Sequence, residues 1–204
     1  MKLKVCGMRE CENIREVSAL EPDFMGFIFY PQSPRFVGSN FAVPETAPAS
    51  RVGVFVSESM ESILANAALH KLKYVQLHGS ETVEQCNELK AHNLLIIKGF
   101  SVADEIDISL LKSYEPAVDF FLFDTKGKYF GGNAAKFNWH LLANYNLDTP
   151  FFLSGGIGPD DVEEIRNLNY PKLYGIDVNS GVEVSPGLKD LAKVKAIKYK
   201  LNTI

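Results

Sequence analysis

The chain has 204 residues, 46% of them apolar, and a formal net charge of −4. It can bury one sizeable core across residues 1–204 but not two full domains, and it lacks the overall basic field that gathers nucleic acid or an anionic membrane surface. Three cysteines (Cys6, Cys11 and Cys86) are odd in number and irregularly spaced, which fits a reducing compartment better than a disulfide framework, and none forms a metal-type pair. Charges interrupt Met1-Lys2-Leu3-Lys4-Val5, so no signal-type apolar segment is expected there, and no run reaches the length of a membrane helix. The expected setting is the cytoplasm, as a monomer or homodimer.

In chain order, short β-branched and aromatic runs alternate with stretches of helical apolar spacing. Lys2 to Cys6 reads as a strand and Glu10 to Leu20 as a helix. Phe24 to Phe29 and Arg51 to Val56 are the next strands. Between them Pro44 and Pro48 predict a short or absent helix, because proline removes a helix hydrogen bond. Met60 to His70 is helical, Tyr74 to Leu77 a strand, Val83 to Ala91 a helix and Leu94 to Gly99 a strand. Asp119 to Phe123, Pro150 to Leu153 and Tyr174 to Val178 complete eight strands. Helices are expected at Asp160 to Leu168 and at Leu188 to Leu201, where Leu188, Leu191, Val194 and Ile197 share a face. This is the alternation of a parallel α/β protein. A doubly wound open sheet shares it, but eight strands favour a closed single-domain (β/α)8 TIM barrel with short loops and a degenerate second helix.

In either fold, chemistry gathers at the carboxyl ends of the strands. Those positions hold Cys6-Gly7, Arg35 in Pro31-Gln32-Ser33-Pro34-Arg35, His78-Gly79, Asp124-Thr125, Ser154-Gly155-Gly156 and Asp177-Val178-Asn179-Ser180-Gly181. Cys6 acts as a base only as a thiolate, which needs a nearby cation or helix N-terminus. Lys4, of the same strand parity, and Arg35, on the same rim, are both candidates. Asp124 follows the apolar Phe120-Phe121-Leu122-Phe123, surroundings that favour a protonated carboxyl suited to general-acid work. The alternative for Asp124 is a turn cap. His78 shares parity with Tyr74 and Gln76, facing the barrel interior as a ligand contact or a satisfied structural histidine. His70, His92 and His140 read as solvated surface, and Cys11 and Cys86 as structural. Arg35, in a proline-stiffened loop, is suited to a carboxylate. Ser154-Gly155-Gly156-Ile157-Gly158-Pro159 leads into a helix, so backbone amides and the helix dipole can meet a phosphate. Asn179-Ser180-Gly181 follows the next strand, and loops seven and eight are the frequent phosphate site of this fold.

Taken together, these segments resemble phosphoribosylanthranilate isomerase along nearly the whole chain. The likeness is carried by Lys4-Val5-Cys6-Gly7, Gly26-Phe27-Ile28-Phe29-Tyr30 with Ser33-Pro34-Arg35, Val52-Gly53-Val54-Phe55, Gln76-Leu77-His78-Gly79 and Phe123-Asp124-Thr125. Gly131-Gly132, Ser154-Gly155-Gly156-Ile157, Gly175 through Glu183 and Pro186-Gly187-Leu188-Lys189-Asp190 continue it. The resemblance implies an Amadori rearrangement of N-(5-phosphoribosyl)anthranilate, a small phosphorylated substrate, without metal or organic cofactor. It implies that Asp124 protonates the furanose oxygen, that Cys6 removes the proton from the adjacent sugar carbon, and that Arg35 pairs with the anthranilate carboxylate. The two glycine loops (Gly155, Gly156, Ser180 and Gly181) would hold the phosphate, with Asp177 shaping the phosphate and sugar end and His78 lining the site. The chain departs from the family pattern at Gly132-Asn133-Ala134-Ala135-Lys136-Phe137-Asn138-Trp139, where a hydroxyl residue and an Asp are common. Gly127, Gly131 and Gly132 make this loop a candidate lid.

Two other readings use the same barrel. A sibling sugar-phosphate enzyme would carry a lysine or paired carboxylates at the strand ends. A non-catalytic phosphosugar-binding barrel would keep the glycine loops and lose the acid or the base. Cys6 and Asp124 are both present.

Overall fold

Eight parallel strands close on themselves in sequence order: β1 (Lys2–Val5), β2 (Phe24–Ile28), β3 (Ser50–Phe55), β4 (Tyr74–Leu77), β5 (Leu95–Val102), β6 (Phe120–Thr125), β7 (Phe151–Leu153) and β8 (Leu173–Val178). The structure, a computed structural model, describes residues 1–44, 49–125 and 136–203. Closure is made by β1 pairing with β8, Lys4 opposite Asp177 and Val5 opposite Val178. The open-sheet alternative is thereby excluded.

Helices pack outside the barrel: α1 (Cys11–Ser18), α2 (Met60–His70), α3 (Val83–Ala91), α4 (Ile108–Tyr114), α5 (Val162–Asn167) and α6 (Leu191–Asn202). Their starts follow side-chain capping. Ser59 accepts from the Ser62 amide ahead of α2, Thr82 and Gln85 form a reciprocal capping box at α3, and Asp190 accepts from the Ala192 and Lys193 amides at α6. Between β2 and β3 no helix forms among the described residues, as the prolines predict. Three boundaries differ from expectation. Helix α4, set by the Asp107 cap, is short and has too few turns for its periodicity to stand out in the sequence. Among its described residues, the unit after β6 holds only a 3-10 turn, Trp139–Asn144. Leu188 is not helical: Leu188–Lys189 forms a short antiparallel pair (β10) with β9 (Glu183–Ser185), and the helix waits for the Asp190 cap.

The core has two shells. Residues facing outward from the strands, such as Val75, Leu77, Phe121 and Phe123, pack under the helices. Inward-facing Phe24, Val52, Tyr74, Ile97, Leu122 and Phe152 fill the amino end of the barrel. Phe24 meets Tyr74 and Phe152 edge-on, with ring centroids 5.2 and 5.4 Å apart, the geometry that aromatic quadrupoles favour. Tyr174 joins this cluster, 5.4 Å from Phe152, while Asp177 on the same strand pairs inward with Lys4. Faces alternate along a strand, so residues three apart cannot both face in without an extra residue. A register shift supplies it: Phe151 opposes Leu173, but Phe152 opposes Gly175.

His70 departs from the solvated surface expected of it. It is buried, 5.0 Å from the Phe29 ring and 6.0 Å from Phe41, and burial followed by the nearby Arg51 pulls its pKa below the ordinary value.

Phe152 is fully buried in the aromatic plug. Phe152→Ala is expected to cost about 3–5 kcal/mol through lost burial and a residual cavity, read as a lower urea midpoint with unchanged slope.

Candidate active site

Cys6 follows β1, and its amide donates to Val178 O at 2.9 Å. The thiol has room because β2 has a glycine opposite: a Cβ on Gly26 would lie 2.7 Å from Cys6 Sγ. One inward position below, Lys4 is fully buried, with Nζ 2.9 Å from Asp177 Oδ2. Burial pushes the Cys6 thiol up, Lys4 pulls it down, Asp177 pushes it up and Lys189 pulls it down; the net position is above the ordinary thiol value. Of the two candidate cations read from sequence, Lys4 is the one that acts on the thiol, while Arg35 is engaged by Glu183; Lys189, which sequence reading did not propose, also pulls the thiol down.

Across the mouth, Asp124 is buried near the end of β6, and its Oδ1 accepts from the Thr125 amide at 2.9 Å. Its Oδ2 lies 3.4 Å from His78 Nε2. The Gln76 amide nitrogen is 2.9 Å from His78 Nδ1. An amide NH2 there donates to Nδ1, which makes Nε2 the protonated nitrogen and turns it toward the carboxyl. Gly99 on β5 makes room for this ring, since a Cβ there would lie 2.7 Å from Nδ1. The loop carrying His78 is clamped beneath by a buried ion pair: Lys98 Nζ reaches Glu81 Oε2 at 3.1 Å and Gly79 O at 2.8 Å. Glu81 Oε1 in turn accepts from the Ser57 amide at 2.8 Å.

The two glycine loops lie against each other. A Cβ on Gly181 would stand 2.1 Å from Ile157 O, and one on Gly155 2.2 Å from Thr125 Oγ1, so neither position tolerates a side chain. Gly155 and Gly156 have φ of 101° and 63°, the left-handed region in which glycine is unstrained. Asp161 already accepts from the Gly158 amide at 2.7 Å and bonds Lys136. The start of the following helix is therefore capped by a carboxylate, which leaves the glycine amides as the better anion donors. Ser180 Oγ, Asp177 Oδ1 and His78 Nε2 are buried without a hydrogen-bond partner, an arrangement that costs free energy unless a ligand or water completes it.

Arg35 is buried on the rim. Its Nε lies 2.9 Å from Glu183 Oε1 and its Nη2 2.6 Å from Oε2. This bidentate grip uses one edge of the guanidinium. Cys6, His78, Asp124, Gly155, Gly156, Asp177 and Ser180 line one cavity; Arg35 and Gly181 are not among its lining residues, and Arg35 packs beside the turn after Cys6, its Cδ 2.8 Å from where a Cβ on Gly7 would lie. Cys11 is exposed and Cys86 buried outside the barrel. The candidate lid at Gly127, Gly131 and Gly132 lies outside the described residues. Sequence reading missed Glu183, Lys189 and the Glu81–Lys98 pair. Glu183 and Lys189 stand in segments already matched to the family, but spacing alone does not show that they meet.

A closed eight-stranded barrel with buried titratable groups gathered at its carboxyl rim defines a (β/α)8-barrel enzyme. Residues 3–199 match the family profile for N-(5'phosphoribosyl)anthranilate (PRA) isomerase. The chain is 46% identical over 200 residues to the N-(5'-phosphoribosyl)anthranilate isomerase of Parabacteroides distasonis, covering 96% of this chain and 90% of that one. It is 48% identical over 196 residues to that of Phocaeicola vulgatus, covering 95% and 94%. The crystal structure of phosphoribosyl anthranilate isomerase from Thermotoga maritima superposes with a TM-score of 0.85 at 33% identity, covering 98% of each chain. A phosphoribosyl anthranilate isomerase in complex with reduced 1-(o-carboxyphenylamino)-1-deoxyribulose 5-phosphate superposes with a TM-score of 0.79 at 32% identity, covering 98% and 97%. The chain belongs to the N-(5'-phosphoribosyl)anthranilate isomerase family, enzymes of tryptophan biosynthesis.

Gly26→Ala places a methyl against the Cys6 thiol. The expected result is a fall in kcat of up to about 100-fold, the scale for misplacing a reacting group by about 1 Å, with KM changed little, as measured by steady-state kinetics.

Proposed function

We propose that Cys6 is the general base and Asp124 the general acid of the Amadori rearrangement of N-(5-phosphoribosyl)anthranilate to 1-(2-carboxyphenylamino)-1-deoxy-D-ribulose 5-phosphate. The observation that carries this is the placement of both side chains, buried, in one cavity with the Gly155-Gly156 loop. Asp124 gives its proton to the furanose oxygen as the C1–O bond breaks, and the anthranilate nitrogen lone pair forms the C1=N bond. The thiolate of Cys6 takes the proton from C2. The C2–H electrons become a C1=C2 double bond and the C=N pair returns to nitrogen, giving an enolamine that ketonises. Substrate and product are isomers, so no net oxidant or reductant is consumed.

The remaining groups bind. Arg35, steadied along one edge by Glu183, pairs with the anthranilate carboxylate through its other edge. The amides of Gly155, Gly156 and Gly181, with the Ser180 hydroxyl, receive the phosphate. This resolves how a chain of net charge −4 holds an anion. Asp177 and His78 present unpartnered polar atoms to the sugar. His78 Nε2 also stands 3.4 Å from Asp124 Oδ2. We infer one catalytic domain over residues 1–204, acting in the cytoplasm as a monomer or homodimer on a small phosphorylated ligand, with no nucleic-acid partner. No helix among the described residues is long and apolar enough to cross a membrane.

Loss of substrate fluorescence with freshly generated N-(5-phosphoribosyl)anthranilate is the test. Cys6→Ala and Asp124→Asn should each remove nearly all turnover while leaving affinity for a reduced product analogue largely intact. Substantial residual rate in either variant rejects that residue's role. The thiol, held above its ordinary value, must lose a proton to serve as base. Turnover also needs Asp124 protonated, so wild-type kcat/KM should follow a bell-shaped pH profile whose two limbs belong to the thiol and the carboxyl. A pH-independent rate would contradict the acid–base pair.

A further inference from the structure

Lys189, on β10, is a buried cation to which the reaction steps assign nothing. Its amide donates to Asn13 Oδ1 at 2.7 Å, and its carbonyl accepts from Asn13 Nδ2 at 3.0 Å. This pins the short strand to α1 and delivers the side chain to the carboxyl rim of the barrel. There Nζ donates to Glu183 Oε1 and to Asn179 Oδ1, each at 2.7 Å. Asn179 in turn packs on the turn that follows Cys6, since a Cβ on Gly7 would lie 2.6 Å from the same Oδ1. Ammonium, amide and the Cys6-Gly7 turn therefore form one continuous contact.

Charge counting shows what this cation adds. Glu183 is already held bidentately by Arg35, so it does not need Lys189 to be neutralised. Arg35, Lys189 and Glu183 together carry one surplus positive charge. On the other side of the thiol, Lys4 and Asp177 cancel as a buried pair. The charged groups that act most strongly on Cys6 are Lys4 from β1, Asp177 from β8 and Lys189 from β10; Asp124 and His78 share its cavity, and Arg35 packs beside Gly7. Lys4 exerts the larger pull toward the thiolate, but its own partner opposes it. We propose that Lys189 is a positioning residue for the reaction, a fixed cation that favours the thiolate form of Cys6, with Glu183 and Asn179 holding its ammonium in place. Burial pulls the Lys189 pKa below the ordinary ammonium value and Glu183 works against that, so Glu183 helps keep the cation charged. The inference rests on Cys6 as the base.

Two readouts test it. The first is alkylation of Cys6 by iodoacetamide against pH, followed at the Cys6 peptide by mass spectrometry in a Cys11→Ser background, which removes the exposed thiol. The second is the pH profile of kcat/KM. Lys189→Met should move the midpoint of Cys6 alkylation upward by about one pH unit, so that labelling below the midpoint slows about tenfold. The limb of the kcat/KM profile that belongs to Cys6 should move with it. Lys189→Gln keeps a donor for Asn179 and Glu183, so it serves if the methionine variant fails to fold, and it should give the same shift. An unmoved alkylation midpoint, or a rate loss equal at every pH, overturns the inference and makes Lys189 structural. A shifted midpoint with an unmoved rate limb leaves the charge coupling standing but removes Cys6 as the base, and with it the proposed part of Lys189 in the reaction.

Discussion

The strict alternation of inward and outward side chains in a closed barrel is the constraint on which the site depends. Once β1 pairs with β8, Lys4 and Cys6 must both point into the barrel while Leu3 and Val5 go under the helices. The interior is then too narrow for eight full side chains per layer. Gly26 and Gly99 are the concessions, opening space for the Cys6 thiol and the His78 ring. The bulge in β8 is a third, letting Tyr174 seal the aromatic plug while Asp177 still reaches Lys4. Stability and chemistry occupy opposite ends of one cavity: apolar rings below, titratable groups above.

Such a site is costly by construction. Lys4, Asp177, Lys98, Glu81, Lys189 and Glu183 hold charge where water is excluded. Buried ion pairs contribute little net stability compared with apolar packing, so their number is better explained by what they hold. Glu81 and Lys98 fix the loop beneath His78, and Glu183 fixes Arg35 and Lys189 at once. The atoms left without partners, on His78, Asp177 and Ser180, face the space that a sugar phosphate would occupy. They are the free energy that a ligand recovers.

Much of this was legible in the residue order. Eight β-rich runs separated by helical spacing yield a barrel, and reading the carboxyl end of each run finds Cys6, His78, Asp124 and Asp177 without coordinates, because parallel strands place their carboxyl ends on one rim. Pro44 and Pro48 forecast the absence of a helix among the described residues between β2 and β3. Local signals misled where tertiary contacts overrode them. Leu188 fits a helical face but pairs with Ser185 across a two-strand ribbon. His70 is a polar residue at the end of a helix, yet Phe29 and Phe41 cover it.

By itself the sequence determined the strand and helix alternation, the residues at each strand end and the family, because these depend on local periodicity and on motif order along the chain. Only the tertiary structure decided which charges meet. Arg35 turns to Glu183, 148 residues away, and Lys189 is drawn to Asn179 and Glu183 after Asn13 pins its strand from 176 residues away. Electrostatic partners are chosen by distance through space in a low-dielectric interior, and no spacing along the chain encodes that distance until the barrel has closed.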